Sequence, residues 1–398
     1  MDYHVQEGGF LDWARLMLSI TEPHIDLSTA YGKLFDVLTV IREKQSYQFA
    51  QLLKDWTAIG STRKSVLPIE QIVETVVAPL AATQPVLLIV IDGMSFAVVY
   101  ELLSDLTQKH WQLITPDAQT STIRAGLAAI PSETKVSRTS LICGALTQGQ
   151  QHHEKKGFSQ HPGLFQHCKR SAPPLLFHKD ALHSITPPIL SEELYNAINS
   201  EKHQVVGLVI NAVDDLLSKG DQVDIDWTCD RINILEPILQ AANNAERLVI
   251  LTSDHGHVLH HGTQYQSANG GERWRVDEGN PRQGELQIEG DRVISANSKS
   301  VIAPWTEKLR YSGHKKTAIM GGINPQEIIV PIAILTSSLK CPEGWQEKSL
   351  SYPDWWDMQK FEDTEAISTT VIPVTPNNVE LSSLPLFSYT TDLSEKVE

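Results

Sequence analysis

The segment VLLIVIDGMSF sets six apolar residues, Val86–Ile91, in succession and ends them on Asp92. A strand with one wet face alternates polar and apolar residues. An unbroken, largely β-branched run therefore predicts a strand covered on both faces, as in a parallel sheet layered between helices. A carboxylate closing such a strand is costly to bury without partners. That cost constrains fold and site together.

Similar short runs occur at Val205–Ile210, at residues 248–251 and at residues 328–335. Helical spacing separates them, at 191–200 and in the stretch carrying Ile234, Leu235, Ile238, Leu239 and Ala242. Strands alternating with helices predict an α/β layered fold with a mostly parallel sheet. Before this core, Phe10, Trp13, Ala14, Met17 and Leu18, then Leu34, Phe35, Leu38 and Ile41, then Val73, Val76, Val77 and Leu80 fall at helical spacing. Residues 1–82 are read as a helical prefix, residues 83–338 as the core, and 339–398, rich in Ser, Thr and Pro, as an extended or disordered tail. Two stretches lack the core rhythm, 151–185 and 262–312, and are expected as insertions over one edge. The basic pieces GERWR, with Arg273 and Arg275, and GHKK are expected either to hold an anion over the site or to be solvated loop charges.

A chain of 398 residues fits one large domain with attachments, or two domains. No apolar run reaches the roughly 20 residues of a membrane-spanning helix, and the start MDYHVQEGGF lacks the features of a secretory signal. Cys143, Cys168, Cys229 and Cys341 are scattered without framework spacing, the pattern of reduced thiols in a cytoplasm. The net charge of −15 argues against a surface built to coat nucleic acid, leaving only a local basic patch for that role.

Ligands of open α/β sheets lie beyond the carboxyl ends of the strands. The residues leaving the strands here are Asp92, then Asn211, Asp214 and Asp215, then Asp254, His255 and His257. Asp oxygens and His nitrogens from several strands at one rim would suit a divalent cation. Taken singly, Asp92 reads equally well as the cap of the next helix, but capping gives no reason for the adjacent histidines. His257, His260 and His261 read as satisfied loop residues. The segment IPSETKVSRTSLICG adds Thr134 at a helix start, with Arg138 four residues on and Gly144 ten residues on. A hydroxyl there faces free backbone N–H groups that favour an anion, and a nearby metal would make it a nucleophile. Alternatively, Thr134 or Ser137 is simply an N-cap.

This order of motifs resembles the alkaline phosphatase superfamily. Within it, VIDGMSF, SRTSLICGAL, NAVDD, TSDHGHV and GGINPQEIIVPIAIL are similar to the PglZ domain of bacterial BREX phage-defence systems. The resemblance spans roughly residues 85–335. It implies an alkaline phosphatase-like fold and two metal sites holding divalent ions, Zn2+ or Mn2+. Asp92, Thr134, Asp254 and His255 match the site of the nucleophile, Asp214 matches the first ligand of the other site, and Arg138 a structural or substrate-facing arginine. Threonine at the nucleophile position disfavours sulfatase chemistry. The chain departs from the pattern at Ser218 and Met320, where the superfamily supplies histidines; His314 either takes that role through a shifted loop or is a surface residue. The implied function is a phosphatase or phosphodiesterase acting on a phosphate ester. The other reading is a weakened or inactive scaffold beside methyltransferase and ATPase components of a defence complex. Such proteins are typically longer, which implies that this chain is part of a larger one.

Overall fold

The computed structural model describes residues 1–19, 23–59, 66–116, 121, 123–182, 189–211, 213, 217, 226–259, 262–295, 298–313, 318–337 and 341–356. One compact unit runs over Met1–Ser351 and a second over Tyr352–Glu398. In the second, the described residues form a short turn, Asp354–Trp356, with Tyr352 and Trp356 rings 6.2 Å apart; the rest of the expected tail lies outside the described residues.

The larger unit is built on a nine-stranded sheet: β1 (Leu67–Pro68), β2 (Val86–Ile91), β3 (Gln112–Pro116), β4 (Arg124–Leu127), β5 (Leu175–Phe177), β6 (Val205–Ile210), β7 (Leu248–Thr252), β8 (Ile329–Thr336) and β9 (Trp345–Glu347). Its order is β1-β4-β8-β7-β2-β6-β5, with β3 beside β8 and β9 beside β3. The centre is parallel: β7, β2, β6 and β5 all run one way, in registers such as Val90 opposite Val209 and Thr252. Every residue of β2, β6 and β7 is buried, as the unbroken apolar runs require. The fourth run, β8, is also buried along its length but lies antiparallel to β7 and β4. Burial on both faces gives a strand the same composition whichever way it runs, so apolar content alone cannot fix its direction.

Helices of eight or more residues flank the sheet: α1 (Gly9–Leu18), α2 (Ile25–Ile59), α3 (Phe96–Gln108), α4 (Thr134–Cys143), α5 (Gln151–Ser159), α6 (Glu192–Asn199) and α7 (Leu235–Asn244). The amino-terminal helices pack onto this body. Phe10 of α1 stacks on Tyr100 of α3 with centroids 3.9 Å apart, and the Tyr100 hydroxyl donates to the Val5 carbonyl. Arg42 of α2 donates to both oxygens of Asp12, at 2.8 and 2.6 Å.

Residues 151–185 supply α5 and the strand β5 at the sheet's edge. Residues 262–312 form a small antiparallel sheet of Arg275–Val276, Ser300–Pro304 and Glu285–Glu289. Arg273 and Arg275 do not face solvent; both are buried and their guanidinium groups donate to glutamates. Arg273, with no exposure, forks onto Glu327 at 2.8 and 2.9 Å, and Arg275 pairs with Glu285 at 2.7 Å. A buried guanidinium requires such partners; Arg275 pins the small sheet internally, and Arg273, just before it, ties it to the helical turn Pro325–Ile328 that precedes β8. No helix of the described residues is long and apolar enough to cross a membrane.

Candidate active site

Because β2, β6 and β7 are adjacent and parallel, their carboxyl ends open on one rim. Asp92 follows β2 directly, Asn211 follows β6 directly, and Asp254 and His255 follow β7. The turn after β2 is made by Gly93 at φ +78°, a conformation that favours glycine, and its N–H donates to Asp254 Oδ1 at 3.3 Å. Ser253 Oγ donates to the Ile91 carbonyl at 2.8 Å, tying the two strand ends together. Behind them Gly256 packs so closely that a Cβ there would lie 2.0 Å from the Gln326 carbonyl oxygen. Ser95, not Asp92, caps α3, by accepting from the Val98 N–H.

Helix α4 brings in the hydroxyl. Thr134 is its first residue, and the side chain of the N-cap residue Glu133 accepts no capping hydrogen bond. Ser137 is not a cap either: its hydroxyl donates to the Asp254 carbonyl at 2.6 Å and accepts from the Ala129 N–H at 3.1 Å. The helix start is thereby locked to the end of β7.

Thr134 Oγ1 lies 2.9 Å from His255 Nε2 and 3.3 Å from Asp92 Oδ1. His255 Nε2 in turn lies 3.4 Å from Asp92 Oδ1 and 3.5 Å from Asp254 Oδ2. Asp92, Asp254 and His255 are at most 1% exposed, while Thr134 is half-buried at the mouth. His255 Nδ1 stands 2.9 Å from the Gly256 carbonyl. That contact requires Nδ1 to carry the proton, which leaves the Nε2 lone pair facing two carboxylates. Asp254 Oδ2 is buried and accepts no hydrogen bond among the described residues. Burial pushes the Asp92 carboxyl up, the Asp254 charge pushes it further, and His255, Arg138 and Thr134 pull it back, leaving it at about 7. The cluster is thus short of positive charge.

The donor set fits a divalent ion. Asp92, Asp254 and His255 each offer one ligand atom, all within 4.8 Å of one another. Donors about 2 Å from a tetrahedral zinc ion stand roughly 3.3 Å apart, close to the spacings here. The other oxygen of Asp92, Oδ2, is already engaged, accepting from Arg138 Nη1 at 2.8 Å and from Asn211 Nδ2 at 3.2 Å.

The structure therefore brings together Asp92, Thr134, Arg138, Asp254 and His255. Asp214, Ser218, His260, His261 and His314 lie outside the described residues. Met320 reaches the cluster, with Sδ 3.7 Å from Thr134 Oγ1. His257 is buried against the Gly93 carbonyl at 2.8 Å, and burial holds its pKa down at about 4 despite that hydrogen bond. It is a satisfied loop histidine.

Two residues in contact with this group carried no signal in the sequence. Glu154 of α5 accepts from Arg138 Nε at 3.2 and 3.3 Å and from the Thr139 hydroxyl at 3.1 Å, and lies 2.6 Å from His178 Nε2. Burial alone would raise the Glu154 pKa, but the His178 hydrogen bond and the Arg138 charge bring it below its ordinary value. A glutamate beside His152, His153, Lys155 and Lys156 looks like part of a solvated face. Only the fold turns it inward.

A family model described as the BREX system PglZ alkaline phosphatase-like domain matches residues 72–335, more than half of the chain. Among solved structures the chain is similar to phosphonoacetate hydrolase from Sinorhizobium meliloti 1021 in complex with phosphonoformate, at 9% identity and a TM-score of 0.42, covering 65% of this chain and 91% of that one. It is also similar to murine ectonucleotide pyrophosphatase/phosphodiesterase 5, at 11% identity and a TM-score of 0.38, covering 63% of this chain and 88% of that one. The human form of that protein gives 11% identity and a TM-score of 0.38, with 63% and 87% covered. No curated protein matches the chain.

Proposed function

The chain belongs to the PglZ family of BREX-system alkaline phosphatase-like domains, and we propose that it is a metal-dependent phosphoesterase in which Thr134 is the nucleophile. The observation that carries this reading is the approach of one half-buried hydroxyl to buried Asp92 and His255, beside an Asp254 oxygen without a hydrogen bond among the described residues. Asp92 Oδ1, Asp254 Oδ2, His255 Nε2 and Thr134 Oγ1 are the atoms that would hold a divalent ion, zinc or manganese. Such an ion supplies positive charge that lowers the pKa of the hydroxyl and offsets charge on the phosphoryl oxygens.

The chain's own groups do the rest. Ser137 and the strand-end contacts hold Thr134 in place, so that its oxygen attacks phosphorus in line. The Thr134 hydroxyl gives its proton to solvent water, the Oγ1–P bond forms as the ester P–O bond breaks, and the departing alkoxide takes a proton from water. A water molecule then attacks the phosphothreonine, its oxygen bonding to phosphorus as the Oγ1–P bond breaks, and inorganic phosphate or a monoester leaves. Arg138, fixed against Asp92, would face the phosphoryl oxygens. The substrate class is a phosphate mono- or diester within a defence system that places the protein beside methyltransferase and ATPase partners.

A second reading, a weakened or inactive scaffold in the same system, is favoured by one observation, the Met320 thioether at 3.7 Å from the hydroxyl. A single experiment separates the two. Purified protein is analysed for bound zinc and manganese, then assayed with bis-p-nitrophenyl phosphate and p-nitrophenyl phosphate. The enzyme reading expects bound metal and turnover that Thr134→Ala abolishes; bound metal without turnover supports the scaffold.

A further inference from the structure

We infer that Glu154 and His178 are positioning residues for Arg138, holding its guanidinium so that Nη2 is presented to an oxygen of a phosphoryl group at Thr134. This rests on the phosphoesterase reading and adds to it the machinery behind the arginine.

Arg138 and Thr134 are one turn apart on α4, so their side chains share a face. An arginine serving only as a structural ion pair commonly forks two nitrogens onto one carboxylate, as Arg273 does on Glu327. Arg138 is held differently. Its Nε donates to Glu154 and its Nη1 to Asp92, so two buried carboxylates grip two edges of the plane. Nη2 makes no hydrogen bond to any described residue. The side chain of Arg138 keeps 11% exposure, against 0% for Glu154 and 1% for Asp92. Of the three side chains, that of Arg138 is the most exposed.

Glu154 could not serve alone. A buried carboxylate needs its lone pairs filled, and the Thr139 hydroxyl and His178 fill those that Arg138 leaves. His178 follows β5, parallel to β6, so a fourth strand end reaches the same rim. It is 2% exposed, and its Nδ1 has no hydrogen-bond partner among the described residues. Its one polar contact is therefore spent on Glu154, as expected of a group whose task is to orient the carboxylate. The stretch 151–185 is thus tied to the reacting centre through one arginine.

The test uses zinc-loaded full-length protein, inorganic phosphate as the probe, and Glu154→Gln, His178→Gln and Arg138→Lys. Zinc content is read by mass spectrometry, phosphate affinity by calorimetry, and the solvent exchange of the Arg138 Nε–H by NMR. All three variants should keep the zinc content of the wild type and weaken phosphate binding by about tenfold or more, the loss expected when a charge-assisted hydrogen bond is misaligned. Nε–H exchange should quicken in Glu154→Gln and His178→Gln. A mere staple between α4 and α5 would lower thermal stability and leave phosphate affinity unchanged, and that result overturns the inference. So does a zinc-loaded wild type that binds no phosphate, although the metal centre then stands. A wild type that takes up no zinc overturns the phosphoesterase reading itself, and the inference with it. If Glu154→Gln does not fold, His178→Gln carries the test, since it removes the neighbour and leaves the carboxylate.

Discussion

Asp92 concentrates the chemistry of the rim in one side chain. Its carboxyl is pushed up to about 7 by burial and by the nearby Asp254 charge. A carboxyl raised in the folded state stabilises the metal-free protein fully below its unfolded value near 3.9, and that contribution fades as pH rises through about 7. A cation reverses the preference, because it needs the ionised form. Zinc uptake should therefore weaken as pH falls below about 7 and release a proton near that pH. Calorimetry in two buffers of different ionisation enthalpy reads the proton directly; heats that do not depend on the buffer would contradict it. Among the ligands, Asp254 should matter most, since its Oδ2 accepts no hydrogen bond among the described residues. Asp254→Ala is expected to lower zinc content more than Ser218→Ala does, and equal losses would remove Asp254 from the ligand set.

At the scale of elements, the loop 253–257 and helix α4 hold the site by contacts with no slack. Gly256→Ala would drive a Cβ to 2.0 Å from the Gln326 carbonyl oxygen. A forced shift in a packed core costs about 1–3 kcal/mol, and urea denaturation should register it together with lost zinc affinity. An unchanged midpoint would mean that the loop yields. Here the limits of the sequence are also plain. The runs of β2, β6 and β7 were legible because residues buried on both faces must be apolar, and the acidic and imidazole groups at their ends followed from strand direction. The antiparallel course of β8 was not legible, since burial on both faces looks alike in either direction. Glu154 was hidden because it sits among charged and polar neighbours and only the packing of α5 turns it inward, and His178 because the three-residue strand it follows was too short to stand out in the sequence. Arg273 and Arg275 looked like surface charges because neither partner is marked in the sequence, Glu327 lying 54 positions from Arg273 and Glu285 ten from Arg275.

Across the Met1–Ser351 unit, buried charge joins the two amino-terminal helices to each other, and Arg15 carries it on to Glu307 outside the prefix. Arg42 and Asp12 are 2% and 5% exposed, and Arg15 adds hydrogen bonds to Asp12, Thr39 and Glu307. The helical spacing of Phe10 and Trp13 was visible in the sequence, whereas the pairing of Asp12 with a residue thirty positions on was not. Asp12→Ala leaves Arg42 buried without its counter-ion, a loss of about 3–5 kcal/mol, whereas joint replacement by Asp12→Leu and Arg42→Met should restore most of it. Calorimetric unfolding of the single and double variants measures this. A double variant no more stable than the single would show that shape, not charge, sets the interface.

The claim on which the site depends is that one rim of the sheet gathers Asp92, Asp254 and His255 around a cation beside Thr134. Diffraction from zinc-soaked crystals on both sides of the zinc absorption edge tests it most directly. The expected result is an anomalous peak bounded by Asp92 Oδ1, Asp254 Oδ2 and His255 Nε2. Zinc bound elsewhere, with no peak among those three atoms, would contradict it.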